Sequence, residues 1–229
     1  MGFYLQKLKR DQILIEKRVK NIIINRPIDE RMKFIINYSK NKNVLNVGCA
    51  DNFTLHKEIG KVSNKLIGID INKEKLDNFT KKNFIVYKKN AESFSFNTKF
   101  DLIIAGELIE HLPNPGLFLK NSKKMLRQNG ELIITTPNMT NIILFLWFIV
   151  SKKLQDSSHL AWYEEETLKV LLDKYNFEIS KILYIKPTYK TVSDNKFINF
   201  MYMIGVFMSS IIYLVNKRIG GSSIIFMVR

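Results

Sequence analysis

An acid following a glycine turn, and histidines beside a glutamate, are the residues of this chain whose types and spacing could do chemistry. Asn43-Val44-Leu45-Asn46-Val47 runs apolar into the small-residue turn Gly48-Cys49-Ala50-Asp51-Asn52, and a helical pattern follows. A strand, a tight loop and a helix N-terminus in that order let backbone N–H groups approach a bound cofactor, because the small residues remove side chains that would hold it away. The same order also describes an ordinary strand-to-helix turn, and Gly48 stands alone, with Ala50 and Asn52 where more glycines would be expected. A second apolar run, Leu66 to Ile71, carries Asp70 about twenty positions after the turn, where an acid can accept both hydroxyls of a ribose. His111, next to Glu110, and His159 could move a proton, since an imidazole ordinarily changes charge near neutral pH. His56 reads as a surface or packing residue of a helix. Cys49 is the single cysteine, which excludes an internal disulfide and a multi-cysteine metal site. The histidines and carboxylates do not stand at metal-ligand spacing in the sequence, so no metal site is expected.

These residues need rigid elements to hold them. Short connections between alternating strand and helix patterns call for a parallel sheet with helices on both faces. Helices are expected over Asp51 to Ile59, Lys73 to Lys81, Pro115 to Arg127 and Glu164 to Tyr175, with another over Asp29 to Ser39 ahead of the first strand. In such a sheet a ligand lies outside the carboxyl ends of the strands. Gly48, Asp70, Asn90, Gly106, Glu107 and Thr136 should therefore converge on one rim.

The span from Asn43 to Asn138 resembles a class I S-adenosylmethionine-dependent methyltransferase, closest in look to methyltransferases of quinone and cell-surface glycan synthesis. Its turn matches the first motif of that family, Asp70 the ribose-binding acid, and Asn90-Ala91-Glu92 the place where the adenine ring is held. Phe100 to Glu107 is similar to the fourth strand and its functional end, followed by Leu108-Ile109-Glu110-His111-Leu112-Pro113-Asn114-Pro115. Leu126 to Asn138 is similar to the turn and fifth strand that complete the core. This chain has Asn46 where the family usually has an acid, and Ala50 where it has a glycine. The resemblance implies a Rossmann-like α/β fold with a seven-stranded, mostly parallel sheet whose last strand, Ser222 to Arg229, is antiparallel, with a sixth strand over Phe177 to Ile185. It implies S-adenosylmethionine as cofactor, held by Asn46, Gly48, Cys49, Ala50, Asn52, Asp70, Ile71, Asn90, Ala91, Glu92, Gly106 and Glu107. It also places His159 in a loop facing the acceptor, which makes His159 the preferred general base, with His111 as the other candidate. The chain is then a single domain, 1–229: N-terminal helices in 1–40, a cofactor-binding core in 41–138, and an acceptor-side half in 139–229 with apolar insertions at 139–150 and 197–216.

At 229 residues and 46% apolar, the chain can bury one full core. Its formal charge of +15 suits nucleic acid or an anionic membrane surface, although Lys, Asn and Ile are abundant together, which also describes a compositional bias over solvated faces. An Asn or Asp followed by Pro-Pro and an aromatic would mark a base-amino methyltransferase at the fourth strand end; this chain has Ala105-Gly106-Glu107-Leu108. A cytosine-C5 enzyme needs a nucleophilic cysteine elsewhere. Nucleic acid is therefore the weaker expectation. The acceptor expected is a small molecule or a glycan- or lipid-linked compound, methylated on oxygen; the alternatives are an RNA methyltransferase and a non-catalytic protein that keeps the fold.

Two further stretches bear on location. Residues 3 to 24 alternate apolar and basic positions with helical spacing, as a helix on an anionic surface or an ordinary packed helix would. Phe197 to Asn216 is twenty residues without a charge, flanked by Lys196 and by Lys217-Arg218. Its length would cross a bilayer, but strands on either side must pair in one sheet, so the chain leaves and returns on the same side. The expectation is peripheral contact with a membrane, made together with Met139 to Val150, on the cytoplasmic face of a cytoplasmic protein; a homodimer interface is the alternative.

Overall fold

The computed structural model describes residues 28–144, 158–188 and 196–229. The basic segment 3–24, residues 145–150 of the first apolar insertion and most of the loop before Ser158 lie outside them. Seven strands are present among the described residues: β1 (Asn43–Val47), β2 (Lys65–Asp70), β3 (Val86–Lys88), β4 (Phe100–Gly106), β5 (Leu126–Pro137), β6 (Ile179–Ile185) and β7 (Ser223–Val228). They form one sheet in the order β3-β2-β1-β4-β5-β7-β6. The first five run parallel, and β7 is antiparallel to both of its neighbours, as the sequence reading expects.

Among the described residues seven helices accompany the sheet: α1 (Glu30–Tyr38), α2 (Phe53–Val62), α3 (Lys73–Thr80), α4 (Pro115–Met125), α5 (Glu165–Lys174), α6 (Lys196–Val215) and the short α7 (Lys217–Gly220). Side chains alternate across a strand, and here both sets are apolar because both faces are covered. Leu45, Ile103, Ala105, Leu132 and Phe226 turn to one face, where Phe118 and Leu119 of α4 and Leu168 and Leu172 of α5 pack on them. Val44, Leu102, Ile104, Ile133 and Ile225 turn to the other, against Met32 and Ile35 of α1 and Leu55 and Ile59 of α2.

Caps set the helix boundaries, and they move several of the expected ones. Residues Cys49–Asp51 form a 3-10 turn, and α2 starts only at Phe53, because the Asn52 side chain accepts the Leu55 N–H and so takes the N-cap position. Asn72 and Asn114 cap α3 and α4 in the same way, with Pro115 in the first turn of α4, where its missing N–H costs nothing. α4 ends at Met125 rather than Arg127, because Leu126 pairs with Phe100 and begins β5. β6 is shorter than expected, starting at Ile179.

The insertion between β6 and β7 lies on the same edge as the strand ends expected to carry a ligand. Pro137 of β5 and Ile185 of β6 both pair with Ser223, so α6 and α7 leave and return at the carboxyl edge of the parallel strands. Two buried amides fasten them there. Asn138 Nδ2 donates to the carbonyls of Arg218 and Gly221 at 2.7 and 2.8 Å, and Asn141 Nδ2 donates to the Gly221 carbonyl at 2.7 Å.

Candidate active site

At the end of β1 the chain turns through Gly48 in the left-handed region, φ 72°. A Cβ there would lie 3.0 Å from Leu108 Cδ1, so backbone conformation and space both call for glycine. The turn delivers the Ala50 N–H to Asp70 Oδ2 at 3.0 Å, while Asp70 Oδ1 accepts the Asn72 N–H at 2.8 Å. The carboxylate thus locks the loop to the end of β2 and keeps lone pairs for a further donor on each oxygen. Next to it the apolar Ile71 side chain is 67% exposed, a platform for a flat ring. At the end of β4, a Cβ built on Gly106 would meet only Thr135 Oγ1, at 3.8 Å, which leaves a cradle open beside the glycine turn.

The other residues expected at this rim divide by what they touch. Asn46 is buried and its amide lies 3.1 Å from His56 Nδ1. Cys49 is buried, and burial pushes its thiol up, beyond nucleophilic use. Asn90 Oδ1 accepts the Glu92 N–H at 2.8 Å, Ala91 is buried, and the Glu92 carboxylate accepts the Asn114 N–H at the start of α4. His56, read from sequence as surface or packing, is a packing residue: fully buried, with edge contacts to Phe79 and Phe84.

Glu107 stands just past β4 with a positive φ of 52°, an uncommon conformation for a side chain of its size. Three groups hold it: its N–H donates to the Thr135 carbonyl at 2.9 Å, the Thr135 hydroxyl donates to Glu107 Oε1 at 2.9 Å, and Arg31 pairs with the same oxygen at 2.8 Å. Burial opposes the Arg31 charge, but Glu107, Asp29 and Glu110 outweigh it. Sequence reasoning missed Arg31, which sits one residue into α1, ahead of every motif.

The 3-10 turn Ile109–His111 carries the remaining groups. Its Glu110 carbonyl accepts the N–H groups of Leu160 and Ala161 at 2.8 and 3.1 Å, which draws the 158–161 segment over the turn. That segment brings His159 to His111, with ring centroids 4.6 Å apart and planes at 82°, and Trp162 stacks edge-on against His159 at 5.1 Å. His111 Nδ1 lies 3.2 Å from the Ser158 carbonyl. The Ser158 hydroxyl lies 3.2 Å from the same nitrogen, so Ser158 meets the ring through both of its oxygens. The side chain of Glu110 is 1% exposed, and burial, reinforced by the charge of Glu107, pushes its carboxyl up to about 8.

Ligand-type atoms of Glu110, His111 and His159 lie within 4.8 Å of one another. The sequence reading saw no such set, because His159 joins it through the fold and not through spacing. A cation there would have to displace the Glu110 proton, since metal ligands bind deprotonated. Away from this rim, a polar concavity of about 400 Å³ lined by Lys123, Arg127, Asn129, Glu178 and Arg229 opens at the opposite edge of the sheet. Arg127 is paired with Asp101 and Arg229 with Glu178, and Lys123 donates to the Asn176 carbonyl at 2.8 Å.

Glu110 and His56 together predict a pH dependence of stability. The folded value of Glu110 lies above its ordinary 4.5, so the folded state holds a proton the unfolded chain has released, and stability falls as pH rises from about 4.5 to about 8. Burial lowers His56 from 6.5 to about 3, so stability falls as pH drops from about 6.5 towards 3. The two slopes oppose each other between about 4.5 and 6.5, where stability should be greatest. Urea unfolding at a series of pH values checks this: Glu110→Gln should remove the decline above pH 6.5, and its persistence in that variant would refute the assignment.

The sequence profile of a family described as "Methyltransferase domain" matches residues 21–182. A ubiquinone biosynthesis O-methyltransferase of Pelagibacter ubique is 33% identical over 107 residues, 44% of this chain and 44% of that protein. The one from Glaesserella parasuis is 26% identical over 199 residues, 71% of this chain and 77% of that protein. The chain spans about half the length of most of the curated relatives it matches. Among solved structures, a SAM-dependent methyltransferase from Archaeoglobus fulgidus superposes with a TM-score of 0.59 at 24% identity, over 86% of this chain and 90% of that one. An N-methyltransferase from Bradyrhizobium japonicum in complex with S-adenosyl-L-homocysteine does so with a TM-score of 0.57 at 16% identity, over 87% and 85%. At those identities the likeness is one of fold.

Proposed function

The chain belongs to the methyltransferase domain family, with the class I S-adenosylmethionine-dependent fold, and from that premise we propose that it methylates a hydroxyl of a small-molecule, glycan-linked or lipid-linked acceptor at a membrane surface. The observation that carries the proposal is the convergence, on one edge of the sheet, of the Gly48–Asp70 turn with the His111–His159 pair. The residues fit the cofactor: Asp70 has lone pairs to spare for ribose hydroxyls, Ile71 is an exposed apolar surface for adenine, and Gly106 leaves room beside the turn. S-adenosylmethionine supplies an electrophilic methyl group on a sulfonium. What the chain must do is align the acceptor oxygen for in-line displacement, exclude water and take the hydroxyl proton. In this reading His159 takes it, His111 orients the 158–161 segment through Ser158, and Arg31 with Thr135 fixes the Glu107 side chain at the rim. Residues 41–138 then hold the cofactor and 139–229 shape the acceptor side.

Isothermal titration with S-adenosylmethionine tests the cofactor half of the proposal. Saturable binding is expected, and its absence would leave a protein that keeps the fold without the chemistry. Transfer of a labelled methyl group to catechol-type, glycan and lipid-linked hydroxyls, with the product linkage read by mass spectrometry, tests the other half. Transfer confined to RNA would overturn it.

A further inference from the structure

α6 has its polarity inside out. A helix packed on a protein in water turns its apolar stripe to the core and its polar one outward. Here the face on the protein is formed by Gly205, Val206, Ser209 and Tyr213, and it is held largely by hydrogen bonds. Ser209, fully buried, donates to the Gly220 carbonyl at 2.9 Å and meets Asn141 Nδ2 at 3.2 Å; Tyr213 donates to the Tyr184 carbonyl at 2.8 Å; Gly205 lies against Ile143. The outward face presents Phe200, Met203, Ile204, Phe207, Ile211 and Leu214, with Phe207 at 64% and Leu214 at 78% exposure. An apolar surface this continuous marks a contact with something other than water. Among the described residues no helix is long and apolar enough to cross a membrane, and α6 returns the chain to the edge it left.

Charge decides between a bilayer and a second copy of the chain. From 197 to 216 the sequence has no charged residue, while Lys196 precedes the stretch and Lys217 and Arg218 follow it, in a chain of net charge +15. Anionic headgroups would meet both basic ends at once. A twofold pair of α6 helices would bring like charges together in a strongly basic dimer.

We infer that α6 lies in the plane of an anionic membrane, with Phe207 and Ile211 among the acyl chains and Lys196 and Lys217 at the headgroups. Because α6 is fastened to Asn138 and Asn141, just beyond β5, the edge that carries Glu107, His111 and His159 lies beside the bilayer, which specifies the membrane contact of the proposed function by surface and orientation.

Flotation of the full chain with vesicles of phosphatidylcholine, with and without phosphatidylglycerol, tests the inference. Binding should require the anionic lipid, weaken with salt, and fall at least tenfold in the double variant Phe207→Glu, Ile211→Glu, while Val170→Glu, a charge on the exposed face of α5, leaves it unchanged. S-adenosylmethionine titration shows whether the double variant keeps its fold and cofactor site. Flotation undiminished in the double variant overturns the inference. So does a lack of vesicle binding, and a concentration-dependent dimer that the double variant disperses would then give the face to a second copy. If flotation behaves as expected and neither protein binds the cofactor, the methyl-transfer reading fails and the surface stands.

Discussion

His159→Ala should lower turnover by about 100-fold or more while leaving affinity for S-adenosylmethionine intact. General-base assistance is worth roughly 10²–10⁴ in rate, and His159 lies in the 158–161 segment and is no part of the Gly48 and Asp70 turn that would grip the cofactor. The variant should also lose the acidic limb of the pH–rate profile, since that limb reports protonation of the catalytic base. His111 supplies the comparison. It touches His159 and holds Ser158, so His111→Ala should cost less than His159→Ala and should leave the acidic limb in place. The reverse pattern, with the limb lost only in the His111 variant, moves the base to His111. Small and equal losses from both would show that alignment alone carries the reaction.

Asp70→Ala should weaken S-adenosylmethionine binding at least tenfold in isothermal titration. Hydrogen bonds to a charged group contribute about 1.5–3 kcal/mol, and a tenfold change needs about 1.4 kcal/mol, so the loss of one ribose contact suffices. The structure adds a second route to the same loss. Asp70 also accepts the N–H groups of Ala50 and Asn72, and alanine releases the loop that shapes the site. Asp70→Asn separates the two: it keeps one acceptor oxygen, so an intermediate loss is expected, with thermal stability close to that of the parent protein. Unchanged affinity in Asp70→Ala would remove the residue from the cofactor site.

Much of the fold was legible in the sequence because strands buried on both faces read as near-continuous apolar runs, as Leu66 to Ile69 and Leu102 to Ala105 do, and Val44 to Val47 with Asn46 as its one polar residue. The spacing from Gly48 to Asp70 was legible because a strand, a turn and a helix of ordinary length separate them. Helix starts were less so, since Asn52 serves as both turn residue and cap, and only the Leu55 hydrogen bond settles which. The site was legible where one motif spans it and hidden where the fold assembles it. Arg31 reaches Glu107 from α1, with nothing in its neighbourhood to mark it. Glu110 stands next to His111 in the sequence with nothing to mark it as buried, yet its carboxyl is enclosed, and that burial, with the charge of Glu107, raises its pKa. In α6 the apolar run was plain, but a helix apolar on most sides does not disclose which side the protein takes. Ser209 and Tyr213 answer that only through partners at Gly220 and Tyr184.

β7 follows β6 in the chain yet lies between β5 and β6 in the sheet, and this reverses the order of synthesis relative to the order of assembly. A growing chain that has passed β6 and α6 still has nothing to pair with the outer edge of β5, and β6 itself pairs only with β7. For that interval an open strand edge and a bare apolar helix coexist, the combination that makes a nascent chain liable to aggregate. The tether of α6 is equally late, because Asn138 and Asn141 bind carbonyls at 218 to 221 that have not yet been made. A polypeptide interrupted before Arg218 therefore loses two strand pairings and the anchor of its apolar helix together, and should be cleared by proteolysis instead of accumulating as a shortened enzyme.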